Sequence, residues 1–70
     1  MESRETTYRV EKKDIGYIRY IVEASDGIGT VTTLNAADGL ILIRTAPGCE
    51  AAVHQVITGL SEEIRIEPSD

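Results

Sequence analysis

Residues 14–29, DIGYIRYIVEASDGIG, decide the fold, because their Ile, Val and Tyr side chains favour a strand while their spacing favours a helix. A half-buried strand would separate apolar from polar residues by alternation, but Arg19 and Glu23 share their parity with Ile21. An apolar helical stripe fits better and consists of Ile15, Ile18, Ile21, Val22 and Ser25. The opposite side of that helix is polar and carries Arg19, Glu23 and Asp26. The spacing therefore predicts a helix over residues 15–25.

The ends of this helix have their own signals. Asp14 is a residue type that caps a first turn, and Gly27 is one that ends a last turn. Each β-branched residue costs about a few tenths of a kcal/mol in a helix. Burial of a full apolar stripe against the rest of the protein easily offsets that cost.

The rest of the chain predicts four strands and a second helix. Residues 6–12 alternate, with Tyr8 and Val10 on the core face. The apolar or β-branched runs at 29–34 and 40–45 flank the Asp38-Gly39 hairpin signal. The second helix is predicted to begin with Pro47 and to bury a stripe that consists of Cys49, Val53, Val56, Ile57, Leu60 and Ile64.

A short last strand over residues 64–67, ended by Pro68, completes the order β-α-β-β-α-β. Residues 1–5 and 68–70 are expected to be frayed ends. The predicted fold is α+β, a two-layer ferredoxin-like βαββαβ sandwich in which two helices cover one face of a four-stranded antiparallel sheet.

Charge and cysteine content narrow the functional class. The chain has 70 residues, a net charge of −5 and one cysteine. Its Lys and Arg residues are scattered, which disfavours nucleic acid or an anionic membrane as a partner. A single cysteine cannot form an internal disulfide and fits a reducing cytoplasm. The first residues lack a signal-peptide core, and no apolar run approaches the ~20 residues of a membrane span. We expect one cytoplasmic domain, residues 1–70.

One segment resembles a known family. IGYIRYI, residues 15–21, resembles the Pro-Gly-x-Leu-x-x-Ile opening of the first helix in ACT domains, which are ferredoxin-like modules that bind amino acids. Gly16, Ile18 and Ile21 match that pattern, while Ile15 stands in place of the proline. The whole chain is also similar to a family of short uncharacterised bacterial domains with a Tyr-Ile-x-Tyr/Phe helix and a Thr-Val-Thr-Thr strand.

The resemblance draws attention to the first strand–helix loop, which comprises Lys13, Asp14, Ile15 and Gly16. Backbone N–H groups at a helix start attract a carboxylate, and Gly16 would let a ligand approach closely. Asp14 could hold the ammonium group of an amino-acid-like ligand. Ordinary capping of the helix by Asp14 is the alternative interpretation.

Cys49 and His54 are the residues with catalytic potential. A thiol in the first turn of a helix can become reactive, but Cys49 also begins the apolar stripe and would then simply be buried. His54 lies about 140° around the helix from Cys49, so the two do not form a dyad or share a metal. No second cysteine or histidine completes a zinc site. We expect no cofactor, no metal and no enzymatic activity.

The uncovered face of the sheet is the remaining candidate. An outward Arg44 places Leu40 and Leu42 outside with it and assigns Ile41 and Ile43 to the core. An apolar pair ringed by charge is typical of a modest dimer contact. The leading hypothesis is therefore a non-catalytic binding module that forms a homodimer. The others are an ACT-like amino-acid sensor and a thiol-dependent role for Cys49.

Overall fold

The computed structural model describes residues 4–24 and 27–69. The elements along the chain are β1 (Arg4–Val10), α1 (Ile15–Glu23), β2 (Gly29–Asn35), β3 (Leu40–Thr45), α2 (Glu50–Leu60) and β4 (Ile66–Ser69), with a 3-10 turn at Lys12–Asp14 before α1. This order confirms the predicted βαββαβ arrangement.

The strands form one sheet in the order β2-β3-β1-β4, and every neighbouring pair is antiparallel. β1 and β3 lie in the centre, whereas β2 and β4 form the edges. One aliphatic core joins the sheet to both helices, and its buried members are Val10, Ile18, Val22, Val31, Ile41, Ile43, Val53, Ile57 and Leu60. The helices therefore cover one face of the sheet, as the ferredoxin-like arrangement requires.

α1 confirms the helix predicted from the polar stripe. Ile18 and Val22, one turn apart, are completely buried, while Arg19 and Glu23 are exposed. Ser25 and Asp26, predicted for the last turn of this helix, lie outside the described residues. The Glu23 carboxylate accepts a hydrogen bond of 3.1 Å from the backbone N–H of Val31, so it occupies a donor of the edge strand β2.

The N-terminus of α1 differs from the prediction. Asp14 occupies the N-cap position, but its backbone is helical and its side chain makes no capping hydrogen bond. The 3-10 turn explains the difference, because the N–H of Ile15 donates to the carbonyl of Lys12 and so replaces a side-chain cap.

β3 confirms the predicted assignment of its two faces. Ile41 and Ile43 are 0% exposed, and Arg44 is exposed. Leu40 and Leu42 are half-buried and share the outer face with Arg44.

Both prolines occupy positions other than those predicted. Pro47 does not begin α2; it forms a turn in which the N–H of Cys49 donates to the carbonyl of Ala46 over 3.0 Å. Gly48, with φ of +84°, takes the left-handed position that such a Pro-Gly turn requires. Pro68 does not end β4 but lies within it, opposite Tyr8. An edge strand tolerates proline because one side of its backbone has no strand partner.

The chain ends also extend further than predicted. Arg4 and Glu5 lie in β1 and pair with Thr45 and Arg44 of β3. Ser69 lies in β4, opposite Thr7, whose hydroxyl donates a hydrogen bond to the Ser69 carbonyl. Both strands therefore have their predicted lengths but are shifted by two residues: β1 covers Arg4–Val10 instead of 6–12, and β4 covers Ile66–Ser69 instead of 64–67.

The β2–β3 hairpin fixes one end of the sheet. Gly39 has φ of +68°, and a Cβ added there would lie 1.8 Å from the carbonyl oxygen of Val10. The Gly39 carbonyl in turn accepts a 2.8 Å hydrogen bond from the Val10 N–H. The turn that the Asp38-Gly39 pair predicts thus also contacts the end of β1, and only glycine fits there.

Gly39→Ala should destabilise the protein by more than about 2 kcal/mol, because it adds left-handed backbone strain to a backbone clash. Gly59→Ala is the matched control, since its Cβ would meet nothing within 4 Å and its helical position should gain about 0.5–1 kcal/mol. Urea denaturation measures both free energies of unfolding. A Gly39→Ala variant as stable as the parent would contradict the described turn.

Candidate functional site

The first strand–helix loop is partly occupied by its own structure. The N–H of Asp14 donates to the carbonyl of Glu11 over 2.9 Å, and Ile15 donates to Lys12. Lys13 and Gly16 are exposed, whereas Asp14 and Ile15 are half-buried. A Cβ on Gly16 would meet nothing within 4 Å, so the fold itself does not require glycine there. An amino-acid site in this loop stays a prediction.

If this loop binds an amino acid, at least one of the twenty should raise the melting temperature at millimolar concentration. Gly16→Val should abolish that rise while the fold survives, since the added side chain meets open space in the protein. Gly59→Val is the control for a β-branched residue in a helix. Absence of any rise, or a rise that Gly16→Val leaves unchanged, would remove the loop as the site.

Cys49 and His54 do not form a catalytic arrangement. Cys49 is the half-buried N-cap residue of α2, and its carbonyl accepts a 3.0 Å hydrogen bond from the Val53 N–H. His54 is exposed on the same helix. Among residues 4–24 and 27–69, no group of three or more His, Cys, Asp and Glu side chains could hold a metal ion. Among the described residues, this geometry therefore places neither a general base nor a metal site beside the Cys49 thiol.

The face of the sheet that the helices leave uncovered is organised in rows across the strands. The central row is uncharged and consists of Thr32, Leu42, Thr7 and Ser69. The row on one side pairs Arg44 with Glu5, whose side chains form an ion pair of 2.6 Å. The row on the other side contains Leu40, Arg9 and Glu67. We call this surface the open face.

The open face carries no net charge, although the chain is acidic. Its two arginines and two glutamates cancel, so the net charge of −5 lies on the rest of the chain. Leu34 enlarges its apolar area: a β-bulge sets Leu34 and Asn35 opposite Leu40, and Leu34 is 48% exposed. A second copy docked on this face would meet no excess of like charge at the contact itself.

A polar cleft of about 320 Å³ opens on the other side of the sheet, between β1 and the first half of α2. β1 and β3 contribute Arg4, Thr6, Tyr8 and Thr45, and α2 contributes Glu50 and His54 together with the apolar side chains of Ala51 and Val53. Within the described part of the chain, the side chains of Arg4, Glu50 and His54 make no hydrogen bond or ion pair. The cleft therefore presents charged groups that are free to meet a ligand.

The cleft was missed by sequence reasoning. Arg4 belongs to the range expected to be a frayed end, and the sequence-based predictions treat His54 only as a candidate partner for Cys49. The sequence does carry one sign of the cleft, and it lies on β1. Thr6 and Tyr8 point to the same side of the sheet as Val10, but they carry hydroxyl groups where Val10 is aliphatic. Hydroxyls at two of the four positions of this parity in β1, with Arg4 at a third, indicate that the aliphatic core stops short of this end of the sheet.

The strand order and the two helices place the chain in the class of ferredoxin-like α+β domains. Within that class it belongs to the family described as Domain of unknown function (DUF4911), whose profile matches residues 8–64. The match begins within β1 and includes most of the open face and of the polar cleft. No curated protein and no solved structure matches the chain. No helix of the described residues is long and apolar enough to cross a membrane.

Proposed function

We propose that this chain is a small, non-catalytic interaction module that forms a homodimer through the open face. The observation that carries the proposal is the uncharged central row around Leu42, on a face with balanced charge in an otherwise acidic chain. Aliphatic side chains surrounded by threonines and by a few charges at the ends are typical of a modest protein interface. The single cysteine supports a reducing, cytoplasmic location.

The size of the domain favours association. A chain of 70 residues buries only about 60% of its unfolded surface, so its own core leaves it marginally stable. Because dimerisation removes further apolar area from water, it adds stability to the folded state by mass action.

The leucines alone give a weak dimer. Complete burial of a leucine is worth about 1.5–3 kcal/mol, and Leu40 and Leu42 are already half-buried by the sheet. A symmetric dimer would bury the remaining exposed area of four leucines, two from each copy. The free energy gained is comparable only to the lower end of the association cost of about 4–15 kcal/mol. Leu34 is the residue best placed to add apolar area. We therefore expect a weak dimer, with a dissociation constant of about 1 mM or somewhat below.

Leu42→Lys should convert the dimer into a folded monomer, because a lysine in the central row would bring two like charges together at the contact. We expect self-association to weaken at least tenfold, which is about 1.4 kcal/mol. Tyr20→Lys is the matched control, since Tyr20 is 69% exposed on α1, away from the open face. Sedimentation equilibrium measures the association, and circular dichroism checks the fold.

Three outcomes would contradict the proposal. A Leu42→Lys variant that dimerises as well as the parent would place the interface elsewhere. A parent chain that stays monomeric up to millimolar concentration would remove homodimerisation altogether. If Tyr20→Lys weakens association as much as Leu42→Lys, the effect belongs to added charge rather than to the open face.

A further inference from the structure

The polar cleft between β1 and α2 is built from positions that a small domain normally fills with aliphatic residues. Thr6 lies opposite Ile43 in the register of the sheet, and Tyr8 lies opposite Ile41. Both isoleucines are completely buried, yet their neighbours on β1 carry hydroxyl groups and are only half-buried. Where local rules of core packing fail, a functional reason is expected.

The same end of the sheet concentrates further polar groups. Thr45, the buried polar residue of β3, pairs with Arg4. Across the cleft, Glu50 and His54 lie one turn apart on α2, and the apolar side chains of Ala51 and Val53 complete the lining. The lining thus combines hydroxyls with a guanidinium, a carboxylate and an imidazole.

We propose that this cleft binds a small, neutral, polyhydroxylated compound of about the size of a monosaccharide. Arg4 and Glu50 contribute one charge of each sign to the lining, so a ligand with net charge would be repelled by one of them. Ligand hydroxyls accept hydrogen bonds from Arg4 and donate them to Glu50, and both bonds are strengthened by the protein charge. The protein hydroxyls of Thr6, Tyr8 and Thr45 also donate and accept, as do those of such a ligand.

Volume and position agree with this ligand class. Ligand sites begin at about 300 Å³, so a cleft of about 320 Å³ suits a compound of roughly a dozen non-hydrogen atoms. The half-buried ring of Tyr8 provides an apolar wall against which the carbon skeleton can pack. The cleft lies on the helix-covered side of the sheet, so this site is independent of dimerisation through the open face.

The test is a titration of the full chain with D-glucose, D-ribose and myo-inositol, each up to about 50 mM, followed by amide chemical shifts in nitrogen-15 NMR. At least one of the three should shift amides of β1, of the end of β3 and of the first half of α2. Two compounds without hydroxyl groups are the comparisons, the zwitterion glycine betaine and the anion acetate, and both should leave these amides unmoved. No shift with any of the three polyhydroxylated compounds, or a response to glycine betaine or acetate alone, would overturn the proposal.

Two pairs of variants connect the shifts to the lining. Tyr8→Phe keeps the ring but removes the hydroxyl, and Glu50→Gln removes the charge; each should weaken binding at least tenfold. Tyr20→Phe on the exposed side of α1 and Glu62→Gln beyond the end of α2 are the matched controls and should bind like the parent. Equal binding by Tyr8→Phe and Glu50→Gln would place the ligand outside the cleft and overturn the assignment.

Discussion

The burial of side chains from α1 and β3 in one core is the constraint on which the rest of the molecule depends. Ile18 and Val22 on the helix and Ile41 and Ile43 on the strand are the largest fully buried side chains of the described residues. Because a strand alternates its side chains, burying these isoleucines turns Leu40, Leu42 and Arg44 to the opposite face. A one-residue slip of β3 would exchange the two sets. The core and the open face are therefore two consequences of the same register.

The sequence predicts this register well for physical reasons. In the helix, Arg19 and Glu23 mark the solvent side independently of the Ile and Val residues, so periodicity outweighs their strand propensity. In β3, a single charge at Arg44 is enough to orient the strand. The predictions were wrong where more than one local conformation can supply the hydrogen bonds of the same backbone N–H and C=O groups. Asp14 could cap α1, but a 3-10 turn supplies the bond instead. Pro47 suits a first helical position and a turn equally well, and the neighbouring Gly48 selects the turn.

The polar cleft could not be predicted because it depends on contacts between distant segments. Arg4 and Glu50 are far apart in sequence, and each alone looks like a solvated surface residue. Only the pairing of Arg4 with Thr45, together with the return of the chain through the Pro47 turn into α2, brings them to one cavity. The hydroxyls of Thr6 and Tyr8 are visible in the sequence as an interruption of the apolar pattern, but alternation alone does not say what lies opposite them.

The cleft and the open face would affect the stability of the fold in opposite directions. Polar residues at the inward positions of β1 shorten an aliphatic core that lacks Phe and Trp and must stabilise a chain of only 70 residues. An open face with balanced charge can recover stability by burying apolar area against a second copy, since an interface formed only by the folded state favours folding. The central strands connect the two surfaces, because β1 and β3 contribute alternate residues to each. If the proposed dimer forms, the domain regains on one side of the sheet part of the apolar burial that the cleft removes on the other.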